Sequence, residues 1–148
     1  MSTASKQTDC IFCSAVENAS EGDSLVVFRG EHNFILLNRY PYNNGHVMIA
    51  PYQHVANPAD ADPSILEEMM RLSQRVIQAM RSVYHPDGFN LGMNLGRTAG
   101  AGVEEHYHLH IVPRWEGDTN FMAAVADTRV IPEDFKTTLA KLAPYFST

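Results

Sequence analysis

The chain has 148 residues, 45% of them apolar, and carries 11 Lys and Arg against 17 Asp and Glu for a formal charge of −6 at pH 7. Length and apolar share suit one ordinary core, so residues 1–148 are expected to form a single domain. The acidic balance argues against a broad nucleic-acid-binding surface, which needs clustered cations to displace counterions, and leaves room for a small anion held locally by Arg39, Arg97 or Arg114. No apolar run approaches the roughly 20 residues of a membrane span, and "MSTASKQTD" at the start lacks the apolar segment of a secretory signal, so a soluble cytoplasmic protein is expected.

Cys10 and Cys13, the only two cysteines, form "CIFC", which reads either as half of a zinc site or as a redox pair; the βαβ context of a thioredoxin-type pair is missing. Residues 25–28 ("LVVF") and 34–38 ("FILLN") read as strands flanking a turn at Gly30, and "GHVMIAP" from Gly45 to Pro51 as a third, together an antiparallel meander. Asp62 followed by Pro63 signals a helix start. Apolar spacing through Ile65, Met69, Leu72, Val76, Met80 and Val83 then predicts one long helix, stopped by "HPDG". "FNLGMNLG" from Phe89 to Gly96 reads as a strand, "RTAGAGVEE" as a loop, and residues 106–112 as a further strand bounded by Pro113. An extended stretch from Trp115 to Pro132 precedes a closing helix over residues 133–146. The sum is an α+β domain whose antiparallel sheet has about five strands, with one long helix and a C-terminal helix.

The chemistry is concentrated in "HYHLHIV", residues 106–112. Period-two alternation puts His106, His108 and His110 on one face of a strand and Tyr107, Leu109 and Ile111 on the other. An apolar back in the core and an imidazole front facing a cleft suit proton transfer, metal ligation or phosphate binding. "TAGAG", Thr98 to Gly102, lies four residues upstream, where glycine permits φ > 0 and close approach of a ligand to backbone N–H groups. His32 and His85 fall in turns and receive no role.

The run of His and hydrophobic residues in "HYHLHIV" resembles the signature of the histidine triad (HIT) superfamily. "CIFC", "LLNR", "NGHVMIAPYQH", a long helix, "GMNLG", the Gly-rich loop and "PRW" follow in that family's order. "PRWEGDTNFM" and "ADTRVIPE" further resemble the branch that contains bacterial diadenosine tetraphosphate phosphorylases. The resemblance implies a HIT-like fold and AMP transfer through a histidine. His108 would attack the α-phosphorus, His110 would bond a phosphate oxygen or orient the nucleophile, and His46 would hold a tautomer within the cluster.

It also implies a set of binding residues. Asn38 matches a ribose-hydroxyl partner, Ile11, Phe12 and Leu36 the apolar surroundings of the purine, Asn94 an amide on the α-phosphate, and Gly100 and Gly102 the phosphate-holding loop. Two features depart from the commoner pattern. Gly102 stands where many members have a Ser or Thr that helps the leaving group, and one extra residue separates loop from triad, with Glu104 and Glu105 expected to be solvated. Cysteine-bearing relatives bind structural zinc at positions matching Cys10, Cys13, His54 and His106, which would free only His108 and His110 for phosphorus. No organic cofactor is implied.

Phosphorolysis of diadenosine tetraphosphate by inorganic phosphate to ATP and ADP is the leading expectation. Hydrolysis of dinucleoside polyphosphates or adenosine phosphoramidates is the alternative within chemistry, and a purine-nucleotide-sensing module the alternative outside it. A homodimer is expected because Ile65, Leu66, Met69, Met70, Ile77 and Met80 give the long helix more apolar surface than its own sheet requires. Trp115 is expected at the cleft mouth, stacking on a second purine or walling a polyphosphate channel beside Arg114; a core position is the alternative.

Overall fold

The computed structural model describes residues 10–17, 24–118 and 133–146. In chain order these form α1 (Ile11–Glu17), β1 (Val26–Arg29), β2 (Asn33–Leu37), β3 (Val47–Pro51), α2 (Pro63–Tyr84), β4 (Gly88–Gly92), β5 (Leu109–Arg114) and α3 (Phe135–Leu142). The five strands make one antiparallel sheet in the order β1-β2-β3-β5-β4. Among the described residues, no helix is long and apolar enough to cross a membrane.

The central strands β2 and β3 are buried at every position, which explains why "FILL" and "VMIA" lack polar alternation. Both of their faces are covered. On one, Ile35, Leu37, Val47, Ile49, Tyr107, Leu109 and Ile111 pack with Met69, Leu72, Val76, Ala79 and Met80 of α2. On the other, Phe34, Leu36, Met48 and Ala50 pack with Cys10 and Phe12. The α1 segment thus closes part of the face that also carries the histidines.

The long helix starts as expected. The Asp62 side chain accepts from the Ser64 N–H at 3.0 Å and Pro63 occupies the first turn, satisfying a donor that the helix cannot. It ends where His85 adopts φ 51° before Pro86. One buried carboxylate on α2 fixes the hairpin across the sheet: Glu68 accepts from the N–H groups of Glu31 and His32 at 2.6 and 2.8 Å and from Asn33 Nδ2 at 2.7 Å. Burial opposes its charge, but the hydrogen bonds from Asn33, His32 and Glu31 outweigh that cost and hold its pKa below the ordinary value. A Cβ at Gly30 would stand 2.8 Å from a Glu68 oxygen, so only glycine fits this turn.

Several expected boundaries move for identifiable reasons. β4 ends at Gly92 rather than Gly96, because its partner reaches back only to His110, opposite Gly92. β5 runs from Leu109 through Pro113 to Arg114 instead of starting at His106 and stopping at Pro113. Pro113 pairs with Phe89 within the ladder, and the Tyr107 N–H leaves the sheet to bond the Val55 carbonyl at 2.9 Å. The closing helix ends at Leu142 and tightens into a 3₁₀ turn at Ala143–Tyr145, where Pro144 cannot continue the α-helical ladder. Most of the extended stretch expected before it, residues 119–132, lies outside the described residues. The first turn of "CIFC" is helical, which the sequence reading left unassigned.

Candidate active site and metal centre

Register and parity sort the histidines. Tyr107, Leu109 and Ile111 enter the α2 side of the core as expected, so the three imidazoles face the opposite side. They do not share one environment. His106 is fully buried and turned toward α1, His108 is 6% exposed, and His110 is half-buried.

His106 joins a four-residue node. Cys10 lies just before α1 and Cys13 in its first turn, and the Ser14 N–H to Cys10 carbonyl bond of 3.0 Å sets both thiols on one side. His54 comes from the loop after β3. Cys10 Sγ lies 3.4 Å from His106 Nδ1, Cys13 Sγ 3.4 Å from His54 Nδ1 and 3.8 Å from His106 Nδ1, and all four ligand atoms lie within 4.8 Å of one another. A tetrahedral zinc with ordinary bond lengths has S···N edges of about 3.5 Å, so the donor set and its spacing fit such an ion.

Second partners orient both imidazoles. His106 Nε2–H donates to the Pro51 carbonyl at 2.8 Å, leaving its Nδ1 lone pair toward the thiols. His54 Nε2 stands 3.8 Å from the Glu105 carboxylate, which is exposed to solvent as expected from sequence yet lies beside the node. Burial and then the neighbouring Cys10 push the Cys13 thiol up to about 11, and burial lowers His106 to about 4. The Cys13 thiol in this enclosure resists ionising without a cation, and a divalent ion would reverse that preference.

The second group is a hydrogen-bonded relay. His108 Nδ1 donates to the His106 carbonyl at 3.0 Å, so its other nitrogen, Nε2, keeps a lone pair. His46 precedes β3. Continuing the register in which Met48 opposes His110 places His46 opposite Val112, making His110 its diagonal neighbour. The Tyr42 N–H donates to His46 Nδ1 at 3.1 Å. His46 therefore carries its proton on Nε2 and donates it to His110 Nδ1 at 3.0 Å, which leaves His110 with an Nε2–H donor.

Burial lowers the pKa of all three imidazoles, with His110 and His108 adding to the effect on His46, which falls to about 3, and His108 adding to that on His110, which falls to about 4. The relay is neutral at pH 7: a nucleophilic nitrogen on His108 and a donor on His110, with ring centroids 4.8 Å apart.

Beside His110 opens a cleft of about 340 Å³, lined by Tyr42, Asn90, Asn94, His110, Val112 and Arg114 among others. Gly92, directly opposite His110, contributes no side chain, and a Cβ there would meet nothing within 4 Å. Asn94 was expected here; Asn90 and Tyr42 were not. The signal for Asn90 was parity, since Asn90 and Gly92 share one face of β4, whereas Tyr42, in the loop before β3, carried none. Arg114 bonds Asn90 Oδ1 and forms an ion pair of 3.2 Å with Asp118.

Other expected residues lie elsewhere or are already engaged. Ile11 is 56% exposed, whereas Leu36 is buried and Phe12 has no exposed surface, its ring packing 4.5 Å from that of His108 and 5.2 Å from that of His106. Phe12 is thus a floor beneath the triad and presents no face to a purine. Asn38 accepts the Tyr40 N–H at 2.8 Å, and its amide nitrogen lies 3.3 Å from His46 Nε2.

Gly100 has φ +98° as the loop reading required, but its N–H bonds the Arg97 carbonyl at 2.9 Å, so this donor is committed within the turn; Gly102 is exposed. Trp115 is set edge-on to Tyr84, at 6.4 Å between ring centroids. Half-buried and one residue past the end of β5, it packs against α2 and does not line the described cleft beside His110.

Comparison with known proteins agrees with this geometry. The family described as HIT domain matches residues 19–117. A protein of Mycobacterium tuberculosis (strain H37Rv) described as AP-4-A phosphorylase is 41% identical over 128 residues, which cover 86% of this chain and 66% of that protein's length. An uncharacterized 16.1 kDa HIT-like protein of Mycoplasma pneumoniae is 32% identical over 120 residues, covering 81% of each. Among solved structures, a Zn-bound histidine triad family protein from Mycobacterium smegmatis superimposes with a TM-score of 0.74 at 27% identity over 94% of both chains. Fold, triad and family match together establish that this chain belongs to the HIT domain family.

Proposed function

We propose that the chain is a nucleotidyl-transfer enzyme that carries AMP on His108, with phosphorolysis of diadenosine tetraphosphate as its reaction. The observation that carries this reading is the wiring of the relay: the His108 Nδ1 bond to the His106 carbonyl presents Nε2 as a nucleophile beside the Nε2–H of His110. His108 Nε2 attacks the α-phosphorus. A P–N bond forms, the P–O bond to the polyphosphate breaks, and ATP departs. An oxygen of inorganic phosphate then attacks the same phosphorus, the P–N bond breaks, and ADP leaves. The His106 carbonyl stabilises the positive charge that His108 acquires while it holds AMP. His110 donates to a non-bridging oxygen as charge builds there. ATP as leaving group needs little protonation, which accords with Gly102 standing where a hydroxyl is common.

The exposed Ile11 would offer an apolar surface to the first adenine, and Asn94 an amide to the phosphate. Asn38 would bind a ribose hydroxyl only by exchanging its bond to the Tyr40 N–H. Cys10, Cys13, His54 and His106 would hold a structural zinc, which supplies the charge that keeps both thiols ionised and ties α1 to the start of β5. Two copies are expected to pair. Met69 and Met80 are used in the chain's own core, but Met70 on α2 and Leu91 on the edge strand β4 remain exposed.

Product analysis tests the reaction. With diadenosine tetraphosphate, ATP and ADP should form only when phosphate is added. Turnover without phosphate would favour the hydrolytic reading. Binding without turnover under either condition would favour a nucleotide sensor.

A further inference from the structure

We propose that Tyr42 is the stacking platform for the distal nucleobase of a dinucleotide substrate, and so the residue that sets preference for long over short adenosine phosphates. The inference rests on the proposed AMP transfer and adds the part of the substrate that leaves. Two observations place an aromatic face where that part must go. In-line attack by His108 Nε2 sends the leaving polyphosphate away from His108, and the described cleft beside the relay opens at His110. Tyr42 lines that cleft. Its ring lies 4.8 Å from that of His46 and 6.4 Å, at 22°, from that of His110, while the residue is 68% exposed. One face of the phenol is seated on the imidazoles and the other is open.

The platform is held rather than loose. The Tyr42 N–H is bonded to His46, and next to it Asn43 Nδ2 donates to the Pro113 carbonyl at 3.1 Å and to Asp118 at 2.7 Å. Asn90 and Asn94 add amide groups along the cleft, chemistry suited to sugar and phosphate oxygens on the way to a base, and the Arg114–Asp118 pair holds the Asn90 side chain. A large exposed aromatic on an anchored loop beside a nucleophile offers a π-face that any purine can use. Trp115 packs against Tyr84 of α2 and is not among the residues lining the described cleft.

The test compares diadenosine tetraphosphate with adenosine 5′-phosphoramidate in the wild-type chain and in Tyr42→Phe, Tyr42→Leu and Tyr42→Ala. Tyr42→Phe should keep the wild-type ratio of kcat/KM for the two substrates. Tyr42→Ala and Tyr42→Leu should lower that ratio about tenfold, mainly through KM for the dinucleotide. Calorimetric Kd values for diadenosine tetraphosphate and AMP, taken on the same variants, should show the same selective weakening and do not depend on turnover. A wild-type chain that binds both ligands but transforms neither substrate defeats the proposed reaction, and the Kd ratio still judges Tyr42. Equal losses on both substrates would mean that Tyr42 acts only by placing His46 and His110, and no loss on either would mean that the base binds elsewhere; either result overturns the inference.

Discussion

His106 and His108 are two residues apart in the segment that leads into β5, yet one belongs to a closed node and the other to an open relay. His106 is fully buried, its Nε2 taken by a backbone carbonyl and its Nδ1 aimed at two thiols. His108 uses its Nδ1 on a carbonyl and turns Nε2 toward the site. Which nitrogen is tied up decides the chemistry: the same imidazole becomes a metal ligand or a nucleophile according to the hydrogen bond on its far side. Phe12, wedged between Cys10 and Cys13 in sequence and packed on both rings, separates the two worlds.

The largest break in that contrast should come from His108→Ala. If His108 alone attacks phosphorus, kcat should fall by about 10⁴-fold or more, equivalent to about 5 kcal/mol of barrier, while the Kd for AMP changes little. Removing the node should instead show in stability. Cys13→Ser, or a strong chelator, should release one equivalent of zinc per chain and lower Tm by about 10 °C, as expected when a few kcal/mol are lost from a chain of this size; calorimetry with metal analysis checks it. If Tm holds while kcat collapses, the node is catalytic rather than structural.

His46→Ala sharpens the relay itself. It deletes the group that gives His110 its tautomer, so kcat should drop about 10²-fold, roughly 2.7 kcal/mol, and Tm should fall as well because the buried imidazole leaves a cavity. The relay also has a proton signature. With His46 near 3 and His110 near 4 when folded, both stay neutral at pH 5, where free imidazoles would be protonated. The His46–His110 donor pair should therefore persist from pH 7 to 5, and activity should be lost once His110 is protonated near pH 4. Stability runs the same way: the unfolded chain takes up protons near pH 6.5 and the folded relay does not, so stability should decline as pH falls from about 6.5 toward 4. Denaturant titrations across that range test the sign. The smallest effect is Glu105→Gln, which should weaken zinc affinity about tenfold through His54 and leave kcat of the loaded chain unchanged.

Sequence alone revealed whatever depended on local period. The long helix, the meander and the apolar back of the triad strand follow from spacing that the core enforces, and the four node residues assemble as the resemblance implied. What stayed hidden depended on contacts distant in the chain. Glu105 is the exposed loop acid that the sequence suggests, but its nearness to His54, 51 positions earlier, arises only on folding. Glu68 looked like one more charge on a helix, although it closes the hairpin around Gly30. Gly100 had the expected backbone conformation but an N–H already used. Trp115 packs on Tyr84 of α2, a contact 31 positions apart in the chain that the sequence does not show.

The most direct test of the divided strand is to map the covalent adduct. The chain is mixed with diadenosine tetraphosphate in the absence of phosphate, quenched at high pH where phosphoramidates survive, digested and sequenced by mass spectrometry. The expected result is AMP on His108 alone, with His106 and His110 unmodified. AMP on His110 or His106 would contradict the assignment of nitrogens on which the mechanism rests.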